Sequence, residues 1–223
     1  ELFRQGINVW GGVDTAPILE RSWASQAGLG FNGKNAVQIL PAHGSFMFLS
    51  VLFVDVEIEP SPTLRDHCGS CTRCLDICPT QAFHGPRGLD ARKCIAYWTI
   101  ENPGPIPLEL RKGFGRWFFG CDDCQTICPH NTRPPRTQEA DFLPKNAWVD
   151  LEYILGASES DMLAFFEGSP IRRPGPEGLR RNACVVLGNL GKPEAIPLLR
   201  RTADTASPLV SEHARWALEA LGG

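Results

Sequence analysis

Two cysteine motifs constrain this chain more than any other feature of its sequence. Residues 68–79 read CGSCTRCLDICP, and residues 121–129 read CDDCQTICP, which lacks the opening cysteine of the first motif. In ferredoxin domains of the bacterial type, three cysteines of such a motif bind one [4Fe–4S] cluster and the cysteine before proline binds the other. The pattern therefore predicts two clusters. Zinc knuckles and disulfides are the alternatives, but neither requires two trailing CP units.

The two motifs provide seven of the eight ligands that two clusters need. The predicted ligands of the first cluster are complete: Cys68, Cys71, Cys74 and Cys128. The second cluster has three predicted ligands so far: Cys78, Cys121 and Cys124. Cys94 lies between the motifs, where a displaced first ligand would lie. Cys184 lies on the apolar face of NACVVLGNL, where a buried thiol is ordinary. We predict Cys94 as the eighth ligand, with residues 95–120 forming an excursion inserted into the second motif.

Composition bounds the class of protein. The chain has 223 residues, 43% of them hydrophobic, which is enough for one large domain or two to three small ones. Nine closely spaced cysteines in a chain of this size favour metal ligation in a reducing compartment, so we predict a cytoplasmic location. The longest apolar run, FMFLSVLFV at 46–54, is too short to span a bilayer and predicts a buried strand.

The pattern along the chain predicts an α+β protein of three domains. Residues 1–59 have the pattern of a partial α/β domain: a strand near INVWGGV, a helix from about Pro17 to Ala27 closed by GLG, and a strand pair around 36–55. Residues 60–136 hold the clusters, and residues 137–223 are helical. Breaks at LGNLGKPEA and TASP give paired amphipathic helices that resemble a HEAT-type repeat. Because the chain opens with Glu1 in mid-pattern, we expect a fragment.

Five blocks carry a resemblance to a known family. VDTAPILERSWASQAGLGFNGKNA at 13–36, CGSCTRCLDICPTQAF, KCIAYWTIE, FFGCDDCQTICPHN and GSPIRRPGPEGLRRNACVVLGN resemble epoxyqueuosine reductases, in matching order over essentially the whole chain. The resemblance implies reduction of the epoxide of epoxyqueuosine to queuosine at the wobble position of tRNA, by cobalamin that two [4Fe–4S] clusters supply with electrons. It also implies an external one-electron donor, and we expect a monomer.

The same resemblance implies site residues. Asp14 matches the family's proton donor, although from the residues alone Asp14 or Thr15 could instead cap the helix entered through Pro17. Ala96 replaces a serine that is common in the family, so a side-chain hydrogen bond would be lost there. The implied cobalamin contacts are Asp14, Gln38, Leu49, Leu52, Ala96, Cys121 and Asp122.

Basic residues are concentrated between 168 and 201, a segment with seven Arg and Lys residues and only two acidic residues, Glu177 and Glu194. A solvated face is the ordinary interpretation, but pairs of arginines around Pro and Gly suit phosphate contacts, and the resemblance favours tRNA. The predicted tRNA contacts are Arg172, Arg173, Arg180 and Arg181. Candidates for stacking on the anticodon loop, or for packing in the core, are Tyr97, Trp98, Trp117 and Phe118.

Two other functions compete with this interpretation. A reductive dehalogenase-like enzyme would use the same cofactors on a different substrate, but the paired arginines and the helical segment argue against it. An electron-transfer module without catalysis of its own would need only the clusters. A bound corrin spectrum after addition of cobalamin separates the electron-transfer module from both enzymes.

Overall fold

The computed structural model describes residues 6–143 and 148–222, and these form two compact units. Unit 1 contains the residues up to Cys78, Phe83–Leu89 and Asp122–Thr137. Unit 2 contains Pro79–Ala82, Asp90–Cys121 and the residues from Gln138 onward. The excursion at 95–120 thus belongs to the same unit as the C-terminal helices. The division into domains at 1–59, 60–136 and 137–223 stays a prediction.

The regular elements are short in unit 1 and longer toward the C-terminus. The strands are β1 (Val9–Gly12), β2 (Phe31–Asn32), β3 (Gln38–Ile39), β4 (Val51–Val54), β5 (Phe83–Gly85) and β6 (Gly88–Leu89). The α-helices are α1 (Glu20–Gln26), α2 (Arg73–Asp76), α3 (Leu108–Arg111), α4 (Asp123–Thr126), α5 (Leu151–Gly156), α6 (Glu159–Phe165), α7 (Gly175–Leu190), α8 (Ile196–Thr205) and α9 (Pro208–Ala220). A π-helix spans Tyr97–Glu101.

The strands of unit 1 pair differently from the prediction. β1 lies where INVWGGV predicted a strand, and it pairs antiparallel with β4. β3 pairs with β2, so the predicted pair within 36–55 is wrong. The buried strand predicted at 46–54 is also wrong, because only β4 is regular and Phe48 is 82% exposed. A two-stranded ribbon has too little area to bury both of its faces, and hydropathy alone cannot reveal that.

The first helix is confirmed but begins later than predicted. α1 begins at Glu20 rather than near Pro17, and Gly28 follows its C-terminus with φ +70°, as the GLG signal indicates. The N-cap is Leu19, which makes no side-chain capping bond. Capping by Asp14 or Thr15 is therefore wrong, since both lie outside the helix in the turn that Ala16 N–H closes onto Val13 O.

The two breaks that the sequence predicts among the C-terminal helices, at LGNLGKPEA and TASP, are confirmed. α7 ends before Gly191, whose φ is +67°, and Ser207 caps the start of α9. α7 and α9 pack closely at Gly188, where a Cβ would lie 2.9 Å from Ala217 Cα. Cys184 on α7 is fully buried, as predicted, and burial raises the pKa of its thiol to about 12. The HEAT-type repeat stays a prediction.

None of the helices in the described ranges is long and apolar enough to cross a membrane.

Candidate iron–sulfur site

A recess in unit 1 brings together the four cysteines that were predicted to bind the first cluster. It has a volume of about 100 Å³, and its thiol lining consists of Cys68, Cys71, Cys74 and Cys128. Cys128 is 9% exposed and packs, with Cys68, against Phe31 and Ile39. Because Cys128 comes from the second motif, the recess joins both motifs, as crossed ligation requires.

Local turns place these cysteines. Cys71 N–H donates to Cys68 O at 3.1 Å, which turns the chain between the first two thiols, and Cys74 lies on α2. Asp66 accepts the Cys68 N–H at 2.7 Å and is paired with Arg87. On the other motif, Pro129 begins a 3₁₀ turn directly after Cys128, where a missing N–H leaves no backbone donor unsatisfied.

The loop after β2 binds the backbone of both motifs. Lys34 Nζ donates to Gly69 O at 2.6 Å and to Cys71 O at 2.9 Å. Its neighbour Asn35 donates from Nδ2 to Cys124 O at 3.0 Å. Lys34 is not a P-loop lysine, because GLGFNGKN does not fit the GxxxxGK[ST] pattern. The glycine beside Lys34 predicts only a turn. No local sequence feature indicates that Lys34 binds carbonyl groups 35 and 37 residues further along the chain.

The electrostatics of the recess fit a cationic cluster. Burial raises the pKa of Cys68, and a hydrogen bond from the Lys34 backbone opposes that rise. Burial also raises the pKa of Cys74, and charge repulsion from Cys128 and Cys68 adds to it. Thiols that resist ionisation through burial and mutual repulsion become thiolates when a metal centre compensates their charge.

The origin of the four cysteines favours a cluster over a mononuclear ion, because three come from the first motif and the fourth is the cysteine before proline of the second motif. A cube with four irons instead spreads its thiolates, one on each iron. The recess therefore fits a [4Fe–4S] cluster better than the tetrahedral zinc alternative.

The second predicted ligand set is divided between the units. Cys78 and Cys124 belong to unit 1, whereas Cys94 and Cys121 belong to unit 2. Within unit 2, Cys94 follows a 3₁₀ turn at Ala91–Lys93, and Cys121 packs against the cluster of apolar side chains that includes Ile95. The assignment of this set stays a prediction.

The implied cobalamin residues differ in exposure. In unit 1, Asp14 is exposed with φ +46°, Leu52 is 61% exposed and Leu49 is partly buried. Gln38 is buried, and its amide group lies 3.0 Å from Ser25 Oγ.

Two more of the implied cobalamin residues are partly buried. Burial raises the pKa of Asp122, against a hydrogen bond from Gln125. Ala96 precedes the π-helix in unit 2. Cys121 completes the set. Cobalamin contact stays a prediction for all of these residues.

The predicted tRNA contacts need one correction. Arg172 is exposed, Arg173 forms an ion pair with Glu101 at 2.8 Å, and Arg180 donates to Ala157 O at 2.8 Å.

Arg181, by contrast, is fully buried and donates to the carbonyls of Trp98, Asn102 and Gly104. An RNA phosphate cannot reach it, so the prediction of a tRNA contact at Arg181 is wrong. An arginine in a basic pair has no local signal that separates an exposed side chain from a buried one.

The aromatic candidates for stacking are partly buried. Trp98 and Trp117 pack against the apolar cluster of Ile95 and Phe114, and Phe118 packs against a second cluster. Tyr97 Oη accepts a hydrogen bond from Asn102 Nδ2 at 3.0 Å. These contacts favour the core-packing alternative, most clearly for Trp98, whose indole N–H already donates to Arg92 O.

Comparisons with known proteins agree with this site. Residues 67–131 match the family model of a 4Fe-4S double cluster binding domain. Epoxyqueuosine reductase of Pseudomonas aeruginosa is 47% identical over 216 residues, which cover 94% of this chain and 59% of that protein. The chain thus spans about three-fifths of the length of this relative.

Solved structures give the same result. A crystal structure of epoxyqueuosine reductase with an epoxyqueuosine-modified tRNA-Tyr stem loop superposes with a TM-score of 0.93 at 31% identity, covering 99% of this chain and 60% of that one. The Bacillus subtilis enzyme, described with its catalytic aspartate loop swung out of the active site, gives 0.92 at 30% identity, with coverage of 99% and 60%. Over the length that it spans, this chain is similar in sequence and fold to epoxyqueuosine reductases.

Proposed function

We propose that this chain is part of an enzyme that reduces the epoxide of epoxyqueuosine to queuosine at the tRNA wobble position, using cobalamin and two [4Fe–4S] clusters. The recess that joins Cys68, Cys71, Cys74 and Cys128 carries the proposal, because it unites both motifs in the way that two-cluster proteins require. The relatives support the substrate, since one of them was crystallised with an epoxyqueuosine-modified stem loop. The reaction consumes two electrons and two protons and yields an alkene and water.

We propose that two [4Fe–4S] clusters accept electrons one at a time from an external donor. Lys34 would hold the loop of the first motif at Gly69 and Cys71, and Asn35 would hold the second motif at Cys124. These contacts keep the thiol-bearing loops in place while the charge on the cluster changes. Little reorganisation is then needed on each electron transfer.

The residues of the β1–β4 ribbon fit cobalamin as the second cofactor. Leu52 is 61% exposed and lies opposite Gly11, which has no side chain, so it leaves an open apolar surface on one face of the ribbon; Asp14 follows β1 after one residue. An apolar corrin ring suits such a face. When bound, cobalamin supplies a low-valent metal centre that can open an epoxide.

Asp14 is the proposed proton donor to the epoxide oxygen. It lies in an exposed turn rather than in a helix cap, so its carboxyl group is not committed to the end of α1. One structure of the Bacillus subtilis relative has an aspartate-bearing catalytic loop swung out of the active site, which supports a catalytic role for an aspartate on a loop, as Asp14 is.

Three arginines form the proposed tRNA surface. Arg172 and Arg173 expose their guanidinium groups on the turn before α7. Arg180 is less exposed, with 21% of its side-chain surface accessible. Phosphates could compete with Glu101 for Arg173, because that ion pair is about half exposed and therefore weak. We further propose a HEAT-type arrangement of the C-terminal helices, a cytoplasmic location and a monomeric state.

An electron-transfer module is the second candidate. The chain spans 59% of the Pseudomonas aeruginosa relative, and clusters alone would suffice for a relay. This candidate predicts cluster reduction without queuosine formation.

The test is anaerobic reconstitution with iron, sulfide and cobalamin, followed by incubation with epoxyqueuosine-bearing tRNA and a one-electron donor. The chain is assayed by itself and fused to the segment of the Pseudomonas aeruginosa relative that it does not span. Mass spectrometry should detect queuosine with the fusion. Asp14→Asn should keep iron content and stability while turnover falls by about two to four orders of magnitude. Wild-type turnover of this variant at saturating cobalamin would exclude Asp14 as the acid.

A further inference from the structure

A buried hydroxyl group joins two segments that carry predicted cluster ligands. Thr99, on the π-helix of unit 2, is fully buried. Its Oγ1 donates to Ile95 O at 2.8 Å and accepts the Gly120 N–H at 3.0 Å. Ile95 directly follows Cys94, and Gly120 directly precedes Cys121. One side chain therefore connects the backbone beside both cysteines.

Side chains of helix α7 bind the same two segments that Thr99 connects. Asn182 Nδ2 donates to Thr99 O at 2.9 Å and to Phe118 O at 3.0 Å, so it binds the same two segments a second time. Arg181 donates to the carbonyls of Trp98 at 2.6 Å and of Asn102 at 2.6 Å and keeps the π-helix against α7. Both side chains are buried, where hydrogen bonds do not compete with water.

We propose that Thr99 is a positioning residue that sets the relative placement of Cys94 and Cys121 and thereby stabilises one of the two clusters. The inference rests on the proposed assignment of these cysteines as ligands of the second cluster. Iron–sulfur cubes tolerate little change in the spacing of their thiolates, because ligand bond lengths are fixed. A hydroxyl group between the two ligand segments is placed to fix that spacing.

The hydroxyl group, rather than the shape of the side chain, carries this role. Valine has nearly the volume of threonine but cannot donate to Ile95 O or accept from Gly120 N–H. Both backbone groups would then lose a buried partner, which is more costly than the loss of an exposed bond. Serine keeps the hydroxyl group and loses only a methyl group.

The chain offers a matched control. Thr202 is also a buried threonine of unit 2, and it donates to the carbonyl four residues before it at 3.0 Å, as Thr99 does. Thr202 lies on α8 and bridges no cysteine-bearing segment. Thr202→Val therefore removes an equivalent helical hydrogen bond without the proposed positioning role.

The experiment measures iron release from the anaerobically reconstituted holo-protein in the presence of an iron chelator. Thr99→Val should release about half of the iron roughly tenfold faster than wild type, while the other half leaves at the wild-type rate. Thr99→Ser and Thr202→Val should match wild type. The electron paramagnetic resonance spectrum of reduced Thr99→Val should change for one cluster only.

Two further variants separate the possible failures. Cys94→Ala should bind half the iron, and Cys94→Ala/Thr99→Val should release that remainder at the rate of Cys94→Ala alone. Wild-type release from Thr99→Val, or equal acceleration of all iron in Thr99→Val and Thr202→Val, would overturn the positioning role. Full iron content in Cys94→Ala would instead overturn the ligand assignment, and the inference with it.

Discussion

Replacement of Arg181 by methionine should destabilise unit 2 without a specific effect on RNA. Arg181 is fully buried, and it donates to the carbonyls of Trp98, Asn102 and Gly104. Methionine fills most of the space of the apolar stem but has no donor. All three carbonyls would lose their bond from the guanidinium group.

The expected change in the free energy of unfolding is about 3 kcal/mol. Three carbonyls that lose a buried donor cost about 2 kcal/mol each, or roughly 6 kcal/mol in total. Part of this cost is offset, because burial lowers the pKa of Arg181 from 12.5 to about 10 and so opposes its charged form. Removal of that charge returns about 3 kcal/mol.

Urea unfolding followed by circular dichroism measures this difference, and Arg172→Met is the matched control because Arg172 is exposed. Arg172→Met should remain within about 0.5 kcal/mol of wild type. The opposite pattern would refute the reasoning: wild-type stability of Arg181→Met, combined with weaker tRNA binding and a smaller salt dependence, would mean that Arg181 contacts phosphate after all.

Three other predictions follow from the described contacts. Lys34→Gln should lower the reduction potential of the first cluster by tens of millivolts, because a positive charge beside it is lost; an unchanged redox titration would contradict this. Arg172→Ala/Arg173→Ala should weaken tRNA binding and reduce the salt slope by about two units in affinity measurements at several salt concentrations, whereas an unchanged slope would favour a solvated face. Burial lowers the pKa of His213 to about 4, and its Nε2 accepts the Ile106 N–H at 3.0 Å, so the folded state resists protonation. The contribution of neutral His213 to the free energy of unfolding should therefore be fully present above about pH 6.5 and be lost as the pH decreases toward about 4. A free energy of unfolding that stays constant over that pH range would contradict this.

The sequence predicted the parts of this protein that depend on local spacing. The positions of Cys68, Cys71 and Cys74 follow from one short motif, and the break between α7 and α8 follows from a glycine that can adopt a positive φ. Partners distant in sequence were not predictable. Arg181 meets carbonyls that lie 77 to 83 residues away, and no local pattern distinguishes it from Arg180.

The apolar run at 46–54 shows a second limit. Its composition predicts burial, but burial needs a second layer of structure; the antiparallel pair of β1 and β4 leaves Leu52 exposed, and Phe48, which precedes β4, is exposed as well. Lys34 shows a third limit, because a lysine that binds backbone carbonyls of a cysteine loop has the same local sequence as a lysine in an ordinary turn.

Iron and acid-labile sulfide content of the reconstituted Cys94→Ala variant tests the central claim most directly. The claim is that eight cysteines hold two [4Fe–4S] clusters and that Cys94 completes the second set. Wild type and Cys184→Ala should contain about eight irons and eight sulfides, and Cys94→Ala about four of each. The spectrum of the cluster bound by the recess of Cys68 and Cys128 should be unchanged in Cys94→Ala. Eight irons in Cys94→Ala, with about four in Cys184→Ala, would contradict the account.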